Sequence, residues 1–223
     1  MSFRHEWKIE ISKRDMLVLR QRLRAVARPD PHAVNGIYRI RSLYFDSLSD
    51  RVLREKLDGV NRREKFRVRY YNDDLSVIHL EKKSKIDGLC AKQSVSLSAE
   101  EVRQIINGET AWMADCGREL AAEFYSKTQA LGLRPKVIVD YMREPFVYGP
   151  GNVRVTLDDQ IRTGMDCKDF LNPASVTIPA GEETAILEVK WDAFLPSVIQ
   201  DVIQLPGRRA GSFSKYARCR IYG

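Results

Sequence analysis

Cysteine is scarce and dispersed. Cys90, Cys116, Cys167 and Cys219 form no CxxC pair and stand near no histidine. That spacing excludes a zinc ribbon and a disulfide framework, and scattered buried thiols in a reducing compartment are expected. Histidine is scarcer still. His5, His32 and His79 have no triad or ligand spacing and are expected to be structural or exposed. No apolar run approaches the ~18 residues of a membrane-spanning helix. The opening MSFRHEWKIE lacks the apolar centre of a secretory signal, so a cytoplasmic location is expected. Repeats of fixed period, low-complexity tracts and long linkers are missing as well, and one domain over residues 1–223 is expected. With 43% hydrophobic residues the chain can bury a core, which excludes disorder. Positive charge is in surplus: 37 Lys and Arg against 30 Asp and Glu give a net charge of +7. Such a surplus implies a polyanionic partner without naming it.

Four stretches have helical spacing. Ser12 precedes Met16, Leu19, Leu23 and Val26 on one face, with Asp15 as a short capping acid. Ser98 and Glu101 form a capping box ahead of Val102, Ile105 and Ile106, and Gly108 is a stop. Residues 115–131 carry Leu120, Phe124 and Leu131 and end at Gly132, and Pro196 opens a run through Ile203. Elsewhere the period is two. Strands are expected at 3–11, 37–46, 64–71, 76–83, 91–97, 136–146, 152–158 and 185–191, with a ninth at 215–222. Turns fall at Asn72-Asp73-Asp74, Asp87-Gly88 and Tyr148-Gly149-Pro150-Gly151. The connections are too short for parallel crossovers, so the class is α+β with a mainly antiparallel sheet.

The polar faces of these strands are almost wholly charged. Arg67 and Arg69 share a face, as do Glu81 and Lys83 (with Lys85 in line), Arg154, Thr156 and Asp158, and Glu188 and Lys190. On the first strand Arg4, Glu6, Lys8 and Glu10 alternate with Phe3, His5, Trp7, Ile9 and Ile11. On any one strand this pattern describes a solvated outer face. Repeated on several, with the opposite faces apolar and suited to packing under helices, it describes a curved sheet whose charged faces look inward. About eight strands suffice to close a barrel around side chains or a small ligand. A barrel lined with cations needs interleaved carboxylates or an anion to offset their repulsion. The expected ligand is a linear polyanion.

The ordered segments Glu6-Trp7-Lys8, Ser42-Leu43-Tyr44-Phe45-Asp46, Lys65 to Tyr71 and Leu80-Glu81-Lys82-Lys83 resemble the VTC domain. So do Tyr141-Met142-Arg143-Glu144, Val153 to Asp158, Leu187-Glu188-Val189-Lys190 and Phe213-Ser214-Lys215-Tyr216. That domain is the catalytic unit of a polyphosphate polymerase in the triphosphate tunnel metalloenzyme superfamily. The resemblance implies an antiparallel β-barrel tunnel of about eight strands with helices packed outside. It implies a basic lining of Lys8, Arg67, Arg69, Lys83, Lys92, Arg143, Arg154 and Lys215, and Glu188 as metal ligand. It further implies transfer of the ATP γ-phosphoryl group to a growing polyphosphate with a divalent metal, Mn²⁺ or Mg²⁺. Many superfamily members begin with E-x-E-x-K. Here Arg4 takes the first glutamate position and only Glu6 and Lys8 remain, which argues against the thiamine-triphosphatase and adenylyl-cyclase branch. The fungal polymerase belongs to a membrane-anchored assembly; a separate membrane partner is left open for this chain, as is its oligomeric state.

Phosphoryl transfer relies on positioning and charge stabilisation, which suits the planar fork of arginine and the point charge of lysine. Arg67, Arg69, Lys83 and Arg154 are expected on the phosphates of ATP or polyphosphate. A hard metal prefers carboxylate oxygen, so Glu188 comes first, with Glu6, Glu81 and Asp158 as direct or water-mediated helpers. The alternative for Glu188 is a salt bridge to Lys190. Two other functions remain: hydrolysis of tripolyphosphate or a nucleoside triphosphate, and non-catalytic binding of polyphosphate or nucleic acid. Nucleic acid is not expected, because the aromatic residues alternate away from the basic faces and Trp7, Trp112 and Trp191 suit packing between barrel and helices. Without the eight lining cations the remaining basic and acidic residues nearly balance, so the surplus charge is assigned to the interior.

Overall fold

A computed structural model describes residues 3–181 and 183–221. Ten strands form one sheet: β1 (His5–Ile11), β2 (Arg28–Pro29), β3 (Tyr38–Asp46), β4 (Arg63–Tyr71), β5 (Asp74–Ile86), β6 (Leu89–Leu97), β7 (Arg134–Tyr148), β8 (Val153–Gly164), β9 (Thr177–Pro179) and β10 (Ala185–Trp191). Six helices accompany them: α1 (Lys13–Val26), α2 (Arg51–Leu57), α3 (Ala99–Asn107), α4 (Glu119–Leu131), α5 (Ser197–Ile203) and α6 (Lys215–Cys219). The eight long strands run in the order β1-β10-β8-β7-β3-β4-β5-β6, all antiparallel, while β2 pairs with β7 and β9 with β8. The sheet curls until its two end strands meet. Arg4, just ahead of β1, and Cys90 of β6 exchange backbone hydrogen bonds of 3.0 Å in each direction. This antiparallel barrel is seamed at a single bridge.

Local chemistry sets the connections. Asn72 and Asp73 both take positive φ (51° and 60°) between β4 and β5, and Asp87 and Gly88 do the same (49° and 83°) between β5 and β6. Two-residue turns of this mirror-image kind match the twist of the strands they join. Ser12 with Asp15, and Ser98 with Glu101, form reciprocal capping boxes at the starts of α1 and α3. Asp46 explains α2, which no hydrophobic period announces. Its buried carboxylate accepts from the backbone N–H groups of Ser47 (2.7 Å), Val52 (2.8 Å) and Leu53 (3.0 Å).

Strand alternation divides the apolar residues into three cores. The outward faces of β3, β4 and β5 pack Leu43, Phe45, Phe66, Val68 and Leu80 against Val102 and Ile105 of α3 and Phe124 of α4. The outward faces of β8 and β10 pack Val153, Val155, Leu187 and Val189 against Leu19 and Leu23 of α1 and Ile199 of α5. The third core contains Tyr38, Ile40, Tyr44, Val139, Tyr141 and Ile186 together with Tyr216 and Cys219 of α6. These strand residues share the parity of the charged set, so the third core belongs to the barrel interior.

Two sequence-based expectations are corrected here. The ninth strand, at 215–222, is instead the short helix α6, capped by Ser214 Oγ, with Tyr222 outside the described residues. Its buried Tyr216 and Cys219 join the third core. Of the four free thiols only Cys219 is buried; the others are half-buried, and Cys90 lines the barrel cavity. Among the described residues no helix is long and apolar enough to cross a membrane.

Candidate active site

The inward charged faces surround a cavity of about 350 Å³. Its wall contains all eight expected cations, Lys8 from β1, Arg67 and Arg69 from β4, Lys83 from β5, Lys92 from β6, Arg143 from β7, Arg154 from β8 and Lys215 from α6. Glu6 and Glu188 line it as well. A second, smaller cavity of about 100 Å³ adjoins it toward Lys56, Arg63, Lys85 and the loop at Gly211–Phe213. Glu6, Lys8, Lys65, Lys83, Cys90 and Ser214 line both, so the two cavities meet at a throat.

Carboxylates interleave with these cations, as a barrel of this kind requires. Glu81 takes Arg67 Nη2 at 2.6 Å, Lys92 Nζ at 3.1 Å and Arg69 Nη1 at 3.8 Å. Asp158 takes both Nε and Nη2 of Arg143 at 2.6 Å and Lys215 Nζ at 2.6 Å. Neither carboxylate lines the cavity. Both stand behind the cations and hold their side chains, Asp158 with no solvent exposure at all. Glu6 takes Lys83 at 2.7 Å, Lys8 at 3.4 Å and Lys190 at 3.5 Å. Glu188 takes Lys190 at 2.5 Å and Arg143 at 3.2 Å. Arg154 is held by Asp30 at 2.8 Å and by the Tyr38 hydroxyl.

Burial alone would push these carboxyl groups up, but their cations overcome it. Lys8, Lys83 and Lys190 hold Glu6 down at about 2 against burial and the neighbouring Glu188. Burial opposes, and Lys190, Lys8 and Arg143 outweigh, in holding Glu188 well below the usual carboxylate range. The same contest keeps Glu81 (Arg67, Arg69) and Asp158 (Arg143, Lys215) ionised. Burial likewise raises the Tyr44 phenol, yet Arg67, Lys65 and Arg69 bring it down to about 7.

The aromatic residues correct the expectation that they alternate away from the charge. Tyr38, Tyr44, Tyr71 and Tyr141 all line the cavity. Tyr71 shares the parity of Arg67 and Arg69, and Tyr141 that of Arg143, so simple alternation already turns these tyrosines inward beside arginine. Their hydroxyls act as handles for the cations: Arg67 Nη1 donates to Tyr44 at 2.9 Å and Arg69 Nη2 to Tyr141 at 3.1 Å. Lys215 Nζ lies 4.6 Å from the Tyr141 ring centre. Trp191 is in the core beneath α5, whereas Trp7 packs edge-on against it and stays 40% exposed. Trp112 packs on the core under α3 and α4.

Sequence reading missed Lys65, whose parity with Arg67 was a usable signal, and Lys56 and Arg63. Lys56 comes from α2, whose position beside the barrel no strand period could reveal.

Residues 3–221 match the model of the VTC domain. The chain belongs to the VTC domain family. Two solved structures share its fold. A putative adenylyl cyclase from Hippeastrum, reported to have a dominant triphosphatase activity, aligns at a TM-score of 0.61 and 12% identity, covering 99% of this chain and 96% of its own. A putative adenylate cyclase from Bacillus halodurans aligns at 0.51 and 14% identity, covering 85% of this chain and 80% of its own. No curated protein matches the chain in sequence.

A divalent metal is implied by the VTC family, and the residues present fit one. Glu6 and Glu188 offer ionised oxygen donors to the cavity. Thr156, paired across the β8–β10 ladder with Glu188, has a buried Oγ1 without a hydrogen-bond partner. Among the described residues no three His, Cys, Asp or Glu side chains cluster in metal-holding geometry. Mg²⁺ and Mn²⁺ tolerate this, since one or two carboxylates with phosphate oxygens and water suffice.

Proposed function

We propose that this VTC domain is a metal-dependent phosphotransferase that extends polyphosphate inside its barrel, using ATP as donor. A terminal oxygen of the chain attacks the γ-phosphorus of ATP, the bond from that phosphorus to the β–γ bridging oxygen breaks, and ADP leaves. The polyphosphate is then one phosphate longer. Arg67 and Arg69 hold non-bridging oxygens from one wall, and Lys8, Lys83, Lys92, Arg143, Arg154 and Lys215 hold them from the others. Glu81 and Asp158 keep the arginines aimed before phosphate arrives, so little reorganisation accompanies the reaction. Glu188 and Glu6 would hold Mn²⁺ or Mg²⁺, which when bound supplies charge neutralisation at the phosphate oxygens.

The adjacency of the two cavities, which share six lining residues, supports this reading above all else. The larger cavity balances its cations with carboxylates, as suits a metal and a triphosphate. Beyond the throat, Lys56, Arg63 and Lys85 have no carboxylate within 4 Å among the described residues. Glu64, which lines the same cavity, is turned to Lys127 at 2.5 Å and Lys82 at 3.3 Å. Unbalanced cations past a triphosphate-sized chamber suit an anion longer than a triphosphate. Hydrolysis of a triphosphate is the second reading, favoured by the activity reported for the Hippeastrum protein of the same fold. Incubation with ATP and Mn²⁺, followed by gel electrophoresis for polymer and a phosphate assay, separates the two. Polymer is expected. Phosphate release without polymer would favour hydrolysis, and no turnover with any divalent metal or primer would sink both.

A further inference from the structure

Lys65 is the anomaly of the tunnel. It projects from β4 on the face of Arg67, opposite Lys83 in the β4–β5 register, and lines both cavities at the throat. The other lining lysines of the throat, Lys8 and Lys83, share Glu6. The Lys65 ammonium has no hydrogen bond and no carboxylate within 4 Å among the described residues. It lies over the ring of Tyr44 on β3, 5.3 Å from Nζ to the ring centre.

Among the described residues, the elements around Lys65 bring it no uncommitted carboxylate. β1 brings Lys8 and Glu6, the latter committed to Lys83, Lys8 and Lys190. β4 and β5 bring Arg63, Arg67, Lys83 and Lys85, with Glu64 committed to Lys127 and Lys82, and α2 brings Lys56. β3 and α6 bring the phenols of Tyr44 and Tyr216, of which the second donates to Asp46. β6 brings the Cys90 thiol, within 3.7 Å of Glu6. Lys65 thus sits in a crowd of cations whose anions are already taken. Burial, reinforced by Lys8, Lys83 and Arg67 and opposed only by Tyr44, pulls its ammonium down to about 7.

We infer that Lys65 couples phosphate binding to proton uptake: it stands among cations at the throat without a counter-charge, and a phosphate chain that crosses there supplies the anion that holds its proton. The inference rests on the proposal above that a phosphate chain enters the tunnel. A phosphate oxygen among Lys65, Lys8 and Lys83 would be the missing counter-charge, and it would raise the lysine's proton affinity as it binds. The throat then stays low in self-repulsion without ligand and gains a further cation with it. Arginine at this position would be permanently charged.

Tripolyphosphate titrated calorimetrically in two buffers of different ionisation enthalpy measures the protons exchanged on binding. At about pH 8, wild type is expected to take up up to about one proton more per tripolyphosphate than K65R, which keeps the charge but has nothing to protonate. The same difference is expected in a Y44F background, which separates the lysine from the phenol. K65M should bind about tenfold more weakly, with that uptake gone. Equal proton uptake by wild type and K65R, with both binding, would overturn the role of Lys65 and leave the tunnel reading standing. Failure of wild type to bind tripolyphosphate at all would overturn the tunnel reading itself, and the role of Lys65 with it.

Discussion

Asp158 receives Nε and Nη2 of Arg143 at 2.6 Å each and Lys215 Nζ at 2.6 Å, in a position without solvent exposure. One carboxylate therefore joins β7, β8 and α6, and fixes two of the cations that face the cavity. Removing one partner of a buried ion pair leaves an uncompensated charge, typically at a cost of about 3–5 kcal/mol. Asp158→Ala should lower unfolding free energy by about that amount in urea titrations, and D158N by less. A loss below about 1 kcal/mol for D158A would show that Arg143 and Lys215 do not depend on this carboxylate.

Acid should unfold the protein through the same pairs. Glu6 (about 2), Glu81, Asp158 and Glu188 all have depressed folded-state proton affinities. A depressed carboxyl contributes stability above its unfolded value, near 4, and loses it as pH falls toward the folded value. These four carboxyl groups therefore add no pH dependence around neutral pH and should make stability decline from about pH 5 downward. E81Q should be less stable at neutral pH and less steeply dependent on acid. A variant with an unchanged acid slope would remove Glu81 from this account.

The interior charge was legible because strand alternation needs no tertiary knowledge: Arg67 with Arg69, and Glu188 with Lys190, face inward together as their spacing requires. The capping boxes at Ser12 and Ser98 and the turns at Asn72-Asp73 and Asp87-Gly88 were equally local. Tyr71 and Tyr141 share the parity of Arg69 and Arg143, a local signal that was present and unused. What escaped depends on distant chain. The stretch 215–222 read as strand, whereas residues 215–219 are helical because Ser214 caps them and Tyr216 reaches Asp46.

That last contact carries its own consequence. Asp46 accepts from three backbone N–H groups at the start of α2 and from the Tyr216 hydroxyl of α6, and it is fully buried. Hydrogen bonds to a charged acceptor contribute about 1.5–3 kcal/mol each, and buried donors left unpaired are costly. Asp46→Ala should destabilise the protein by about 3 kcal/mol or more, and Y216F by about 1 kcal/mol. Hydrogen exchange should show faster amide exchange at Val52 and Leu53 in D46A, while α3 and α4, which pack on another core, keep theirs.

The roles of Glu188 and Lys190 separate by sign. Lys190 Nζ stands 2.5 Å from Glu188 and 3.5 Å from Glu6, the two carboxylates that a divalent metal would use. If Glu188 is a metal ligand, E188Q should weaken Mn²⁺ binding, followed by electron paramagnetic resonance, and lower turnover by about 10²–10³-fold. K190M should tighten Mn²⁺ binding, because the ammonium no longer competes for the same oxygens. If Glu188 instead serves only to pair Lys190, E188Q should leave Mn²⁺ binding unchanged. An ion pair that opposes metal entry at the same carboxylates predicts opposite shifts in the two variants, and shifts of the same sign would refute the assignment.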